Sequence, residues 1–431
     1  MKCNASSIPG RRAFLKLAGL AALGTSLESL AGAAARPGAL PAPTHSLCIR
    51  AAQVELAPGH AITTTTYDGQ LPGPPLRTAV GQRVIVDVHN ETSTAERVSW
   101  HGQDMALDEA SLVPPHALRR MEFTPTRPGL YFYHSGRIAA ADLQAGLYSG
   151  QAGALLVEPR NHPGRYDHEW IVVLKECEPF IRRTRRGCEV GYRSLTVNGR
   201  TLDPGNRLRV KAGHRVLLHV VNASATEPRT LALPGHSFEV TALNGCAVSS
   251  PARVTALHLN PAERVSALLD IVQPAGWVLR DRFDAMRNDY PVGCGQRGSA
   301  MAREPDATVE LVLTRHDAAR SGFSRWSING TSFSSADPRP ALRVQYGLRY
   351  RLRIRNTSDE VIPVHLQRHR LEVARASGSR MAGLSQDVVT IGAEGLLEVD
   401  FTADNPGPAL FYCTRQLHRD FGLMALLDYA T

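Results

Sequence analysis

Short runs in which apolar and polar residues alternate recur along the whole chain. Val84-Ile85-Val86-Asp87-Val88 and Arg351-Leu352-Arg353-Ile354-Arg355 are two of them. Glycine, proline, asparagine and aspartate break the runs at roughly ten-residue intervals. Alternation at period two gives a strand one face for a core and one for solvent, and many such strands between turn residues predict antiparallel β-sandwiches. Long helical periodicity is missing; a short helix is expected only over Ala139 to Ala145.

The pattern also repeats. A turn glycine, about a dozen residues, a second glycine and an alternating strand ending in asparagine occur three times, at Gly69–Gly81–Asn90, Gly199–Gly213–Asn222 and Gly330–Gly347–Asn356. The asparagines lie 132 and 134 residues apart. A Pro/Gly turn that opens a later strand follows in each copy, at Pro128-Gly129, Pro274-Ala275-Gly276 and Pro406-Gly407. Two landmarks in one order at one period predict three copies of one domain, placed at 41–160, 161–318 and 325–431. The linkers are expected over Glu158 to Gly164 and His316 to Ser324.

Composition narrows the class. Of 431 residues, 43% are hydrophobic and 21% charged, which is a globular balance. No uncharged apolar run reaches the roughly 18 residues of a membrane span, so no transmembrane segment is expected. The net charge is +9, but the arginines that carry it are scattered. Only Arg182, Arg183, Arg185 and Arg186 cluster, so nucleic acid is excluded as a partner. The N-terminus reads Arg11-Arg12-Ala13-Phe14-Leu15-Lys16, then a mildly apolar tract, then small residues to Ala35. This pattern resembles a twin-arginine signal peptide over residues 1–35 and predicts a periplasmic protein. Six cysteines follow that segment, and their spacing fixes no disulfide pairing.

Histidine and cysteine fall unevenly over the repeats. The first carries Ser99-Trp100-His101-Gly102 and Tyr133-His134-Ser135-Gly136; the third carries Ile362-Pro363-Val364-His365-Leu366-Gln367 and Tyr412-Cys413-Thr414, with His418 beyond. The middle repeat has Arg229-Thr230-Leu231 and Val278-Leu279-Arg280 instead. Any metal chemistry is therefore expected between the first and third domains.

On these segments, and on Val220-Val221-Asn222-Ala223-Ser224 and Pro234-Gly235-His236-Ser237-Phe238 in the middle repeat, the chain resembles the three-domain multicopper oxidases of the laccase and copper-efflux type. The resemblance implies three cupredoxin-like Greek-key domains, a mononuclear blue copper and a trinuclear copper cluster that reduces dioxygen. It also implies ligand motifs His-x-His-Gly, His-x-His, His-Pro-x-His-x-His and His-Cys-His with a further histidine. Against those motifs Ser99, Gly136, Gln367, Tyr412 and Thr414 replace five of eight cluster ligands, and Ile362 replaces a blue-copper histidine. His101, His134 and His365 keep cluster positions, while Cys413 and His418 keep blue-copper positions beside an axial Leu423. These five residues are the candidate metal ligands. Isoleucine and glycine donate nothing, and serine, threonine and glutamine are poor copper ligands. The surviving histidines are then either residual copper ligands or inherited side chains satisfied by hydrogen bonds in a cleft. Residual copper, at most one weakly bound ion, is the expected cofactor. The resemblance in ligand loss extends to the copper-free cell-division protein of the same fold. The expected function is thus a non-catalytic scaffold or binding protein of the cell envelope, partnered by an envelope protein or a copper ion. The alternatives are a copper oxidoreductase of reduced copper content and a copper carrier.

Overall fold

The computed structural model describes residues 41–105, 111–160, 165–201, 210–273, 278–280, 304–318, 322–334, 341–376, 379–380 and 385–430. The expected signal segment 1–35, the expected Pro274 to Gly276 turn, Cys294 and parts of both expected linkers lie outside them. Among the described residues the strands form six sheets, paired into three consecutive cupredoxin-type β-sandwiches. Among the described residues, no helix is long and apolar enough to cross a membrane.

One strand plan is used three times. A leading strand, His45–Ala57, His168–Thr184 or Ala307–His316, forms an antiparallel hairpin with its successor. It also pairs parallel with the strand that ends in the repeat asparagine. That asparagine strand then runs antiparallel to a later one. The non-sequential order is the Greek key. The asparagines recur because each closes the same corner. Asn90 Nδ2 donates to the Thr94 and Val113 carbonyls, Asn222 Nδ2 to Glu227 and Leu259, and Asn356 Nδ2 to Glu360 and Gly392. In each copy the Oδ1 accepts from the backbone N–H two residues on, an Asx turn that ends the strand.

Each sandwich has its own apolar core. Val84, Val86, Val88, Trp100 and Tyr133 anchor the first, Val216, Leu218, Val220 and Phe238 the second, and Trp326, Leu352, Ile354, Val364 and Phe411 the third. The expected helix over Ala139 to Ala145 is a correction: the segment is a series of turns, followed by a 3-10 turn over Gly146–Tyr148. Ala140 adopts a positive φ of 50°, and the Asp420 carboxylate takes the N–H groups of Ala139 and Ala140, so an N-terminal turn of helix cannot propagate. Asp420 itself ends a one-turn helix, Gln416–Asp420, that the alternation did not signal.

Charged side chains clamp the three sandwiches where they meet. Arg264 is buried; its Nε donates to the Leu130 carbonyl of the first domain at 3.0 Å and its Nη1 to Ala262 of its own at 2.8 Å. Its Nη2 meets both carboxylate oxygens of Asp387 in the third, at 2.6 and 2.5 Å. Lys175, equally buried, donates to the carbonyls of Leu147 and Ala223, and burial pulls its ammonium pKa down.

Candidate metal centre

Strand register explains which candidate side chains meet. In the first domain Glu96–His101 pairs with Gly129–Ser135 so that Ser99 faces His134 and His101 faces Phe132. Directly opposed residues and those two apart share a face, which puts His101 and His134 together. In the third domain Ile362–Leu366 pairs with Ala409–Cys413, with His365 opposite Tyr412 and Val364 opposite Cys413. Ile362, Val364 and Cys413 therefore face the domain core, while His365 and Tyr412 face outward to the junction of the domains.

At that junction the rings of His101 and His365 stack with centroids 4.2 Å apart, and His134 lies 5.8 Å from His101. All three are buried. His365 Nδ1 is 2.6 Å from the Asp387 carbonyl and His134 Nδ1 is 2.9 Å from the Ser135 carbonyl, so each turns its Nε2 to the junction. Neither ring nitrogen of His101, nor Nε2 of His134, has a hydrogen-bond partner among the described residues. Burial, followed by the charges of His365 and Arg264, holds His101 well below the ordinary imidazole range. Burial takes His134 down to about 3 and lowers His365, against the pull of Asp387. All three rings are thus neutral near pH 7, the protonation state a metal ligand needs.

The motif gave no hint of Asp387. Its carboxylate is buried beside these rings, and donor atoms of His101, His365 and Asp387 all lie within 4.8 Å of one another. Burial disfavours its ionised form, but Arg264 and Arg370 outweigh that and hold its pKa below the usual carboxylate value. Gly102 follows His101 at a φ of 82°; a Cβ there would fall on the Asp387 carboxylate and the Tyr131 ring. His365 and Asp387 line a cavity of about 350 Å³ together with Asp104, Arg127, Tyr131 and Arg370.

The other two candidates stand apart from this group. Cys413 Sγ lies 3.6 Å from His418 Nδ1 inside the third domain, with Ile362 and Leu423 fully buried alongside. His418 Nε2 is 3.3 Å from Glu360 Oε2. Burial pushes the Cys413 thiol up to about 12. Thr414 Oγ1 donates to the Pro261 carbonyl at 2.6 Å, and burial raises the Tyr412 phenol to about 12.

Comparison with known proteins agrees with the three-sandwich plan. Three family models, each described as multicopper oxidase, match residues 49–162, 182–292 and 303–430. Multicopper oxidase MmcO of Mycobacterium tuberculosis is 26% identical over 93% of this chain and 89% of its own, and multicopper oxidase mco of Staphylococcus aureus 22% over 88% and 87%. Among solved structures, a multicopper oxidase from Pseudomonas thermotolerans superposes with a TM-score of 0.72 at 24% identity, covering 90% of this chain and all of that one. One from Campylobacter jejuni, described as a metallo-oxidase, gives 0.70 at 18%, over 89% and 91%. The structural likeness carries the fold, and the sequence models, which together span most of residues 49–430, carry the relationship: the chain belongs to the multicopper oxidase family.

Proposed function

We propose that this protein is an exported multicopper-oxidase-fold protein with degenerate copper sites. On this reading it holds at most one weakly bound copper among His101, His134 and His365 and serves the cell envelope as a non-catalytic binding or scaffold protein. The observation that carries the reading is His101, an imidazole with both nitrogens buried and unpartnered among the described residues. Each such group costs about 1–3 kcal/mol, and an ion at the junction relieves that cost. The ion would draw its imidazole ligands from among His101, His134 and His365; bound copper would supply Lewis acidity and a one-electron couple there.

The donor set does not fit a blue copper. Cys413 and His418 are the two family donors left at their site, and Ile362 offers none, so the three-donor set of a blue copper is incomplete. Nor do Tyr412 and Thr414 supply imidazoles beside the cysteine. Four-electron reduction of dioxygen is therefore not expected. Contact between Cys413 and His418 favours a second reading, a periplasmic copper-dependent oxidoreductase of reduced copper content. Dioxygen uptake with phenolic and cuprous substrates after copper loading separates the two. The first predicts no uptake above a heat-denatured control; robust uptake abolished by Cys413→Ser would establish the second.

A further inference from the structure

The group that the fold gathers most tightly is two imidazoles and a carboxylate, not three imidazoles. Donor atoms of His101, His365 and Asp387 lie within 4.8 Å of one another. His134 stands outside that set. We propose that Asp387 is a metal donor, so that His101, His365 and Asp387 form a two-histidine, one-carboxylate site for a divalent first-row transition ion. The inference rests on the reading that one ion occupies the junction, and it identifies the donors and the class of ion.

Four observations support it. The Asp387 backbone carbonyl orients His365 through Nδ1 at 2.6 Å, leaving Nε2 to ligate. Arg264 Nη2 fixes the carboxylate, and because each carboxylate oxygen has two lone pairs, one oxygen can keep the guanidinium while the other turns to an ion. The residue beside His101 is glycine, and any side chain there would displace the Asp387 carboxylate. Finally, His365 and Asp387 both line the cavity of about 350 Å³, which gives water a route to the remaining coordination positions. Two nitrogens and one oxygen with open positions suit ferrous iron or zinc as well as cupric copper. Bonds of about 2.0–2.2 Å bring donors to roughly 3–3.5 Å apart. Binding therefore contracts the group and turns His101 and His365 out of their 4.2 Å stack, which keeps affinity modest.

The test uses the full chain with metal alone. Competitive titration with Zn²⁺ on the parent, Asp387→Asn, His101→Ala and His134→Ala gives relative affinities. Pulsed electron paramagnetic resonance of the Cu²⁺-loaded parent counts coupled imidazoles without any substitution. Losing a supporting contact commonly costs 10- to 100-fold, so losing a donor should cost Asp387→Asn at least about 100-fold, with His134→Ala retaining the ion and two imidazoles coupled in the parent. Three coupled imidazoles, or an ion lost in His134→Ala but kept in Asp387→Asn, overturns Asp387 as a donor while leaving the single-ion reading intact. Failure of the parent to bind either metal overturns both.

Discussion

Replacing Arg264 by methionine removes the guanidinium that joins all three domains while keeping most of its length. Asp387 then remains as a buried carboxylate without its main counter-charge, and the carbonyls of Leu130 and Ala262 lose their donor. Breaking one side of a buried pair costs about 3–5 kcal/mol. The two carbonyls add roughly 1 kcal/mol once water partly replaces the donor, for about 4–6 kcal/mol in all. In Arg264→Met/Asp387→Leu the stranded charge is gone, so the double variant should recover at least about 2 kcal/mol as a coupling energy. The pH dependence adds a signature. In the parent the lowered pKa of Asp387 makes its contribution present above the unfolded carboxyl value, near 3.9, and lost as pH falls through the lower folded value. In Arg264→Met only Arg370 and His365 still oppose burial, so that pKa moves up from its value in the parent, and the deficit between variant and parent should shrink on acidification from pH 7 to pH 5. Urea denaturation followed by tryptophan fluorescence at both pH values measures this. A deficit under 1 kcal/mol, or one that grows on acidification, would refute the clamp.

Three further outcomes are expected. The neutral buried histidines His101, His134, His365 and His418 all have folded pKa values below the unfolded value of about 6.5; the unfolded chain takes up protons first, so stability should fall as pH drops below 6.5, each histidine contributing no more than about 1.4 kcal/mol per pH unit. A flat profile from pH 7 to 5 by denaturant titration would contradict their burial. Ile362→His adds a third donor beside Cys413 and His418, and copper loading should then give an intense thiolate absorption that disappears in the added Cys413→Ser; a colourless variant that is folded by circular dichroism would place Ile362 wrongly. Replacing Arg11 and Arg12 by lysine should abolish periplasmic accumulation on fractionation, and an unchanged yield would exclude the twin-arginine route.

The sequence made much of this fold legible because its cues are local. Alternation marks strands such as Val84–Asn90, and the asparagine corners need only a residue two positions on and a carbonyl close by. The convergence of His101 and His134 was implied only by the family resemblance, because the register that puts them on one face joins strands far apart in sequence. Asp387 and Arg264 were not legible, since they lie 123 residues apart, Arg264 opening a strand and Asp387 at a bend between two strands, neither within a motif. Their importance arises from burial and from convergence of three domains, neither of which local pattern encodes. A buried acid just ahead of the apolar run Val388-Val389 was the available signal. The turns at Ala139 to Ala145 were missed for the same reason: the carboxylate that captures their N–H groups belongs to Asp420, on the far side of the sequence.

The central claim is a one-ion centre without a blue copper. Its most direct test is elemental analysis of copper per chain, with absorption and electron paramagnetic resonance spectra, on the purified protein reloaded with Cu²⁺. The account predicts at most one copper per chain, coupled to imidazole nitrogen and lacking an intense thiolate band. Three or four coppers per chain with a strong blue absorption lost in Cys413→Ser would contradict it.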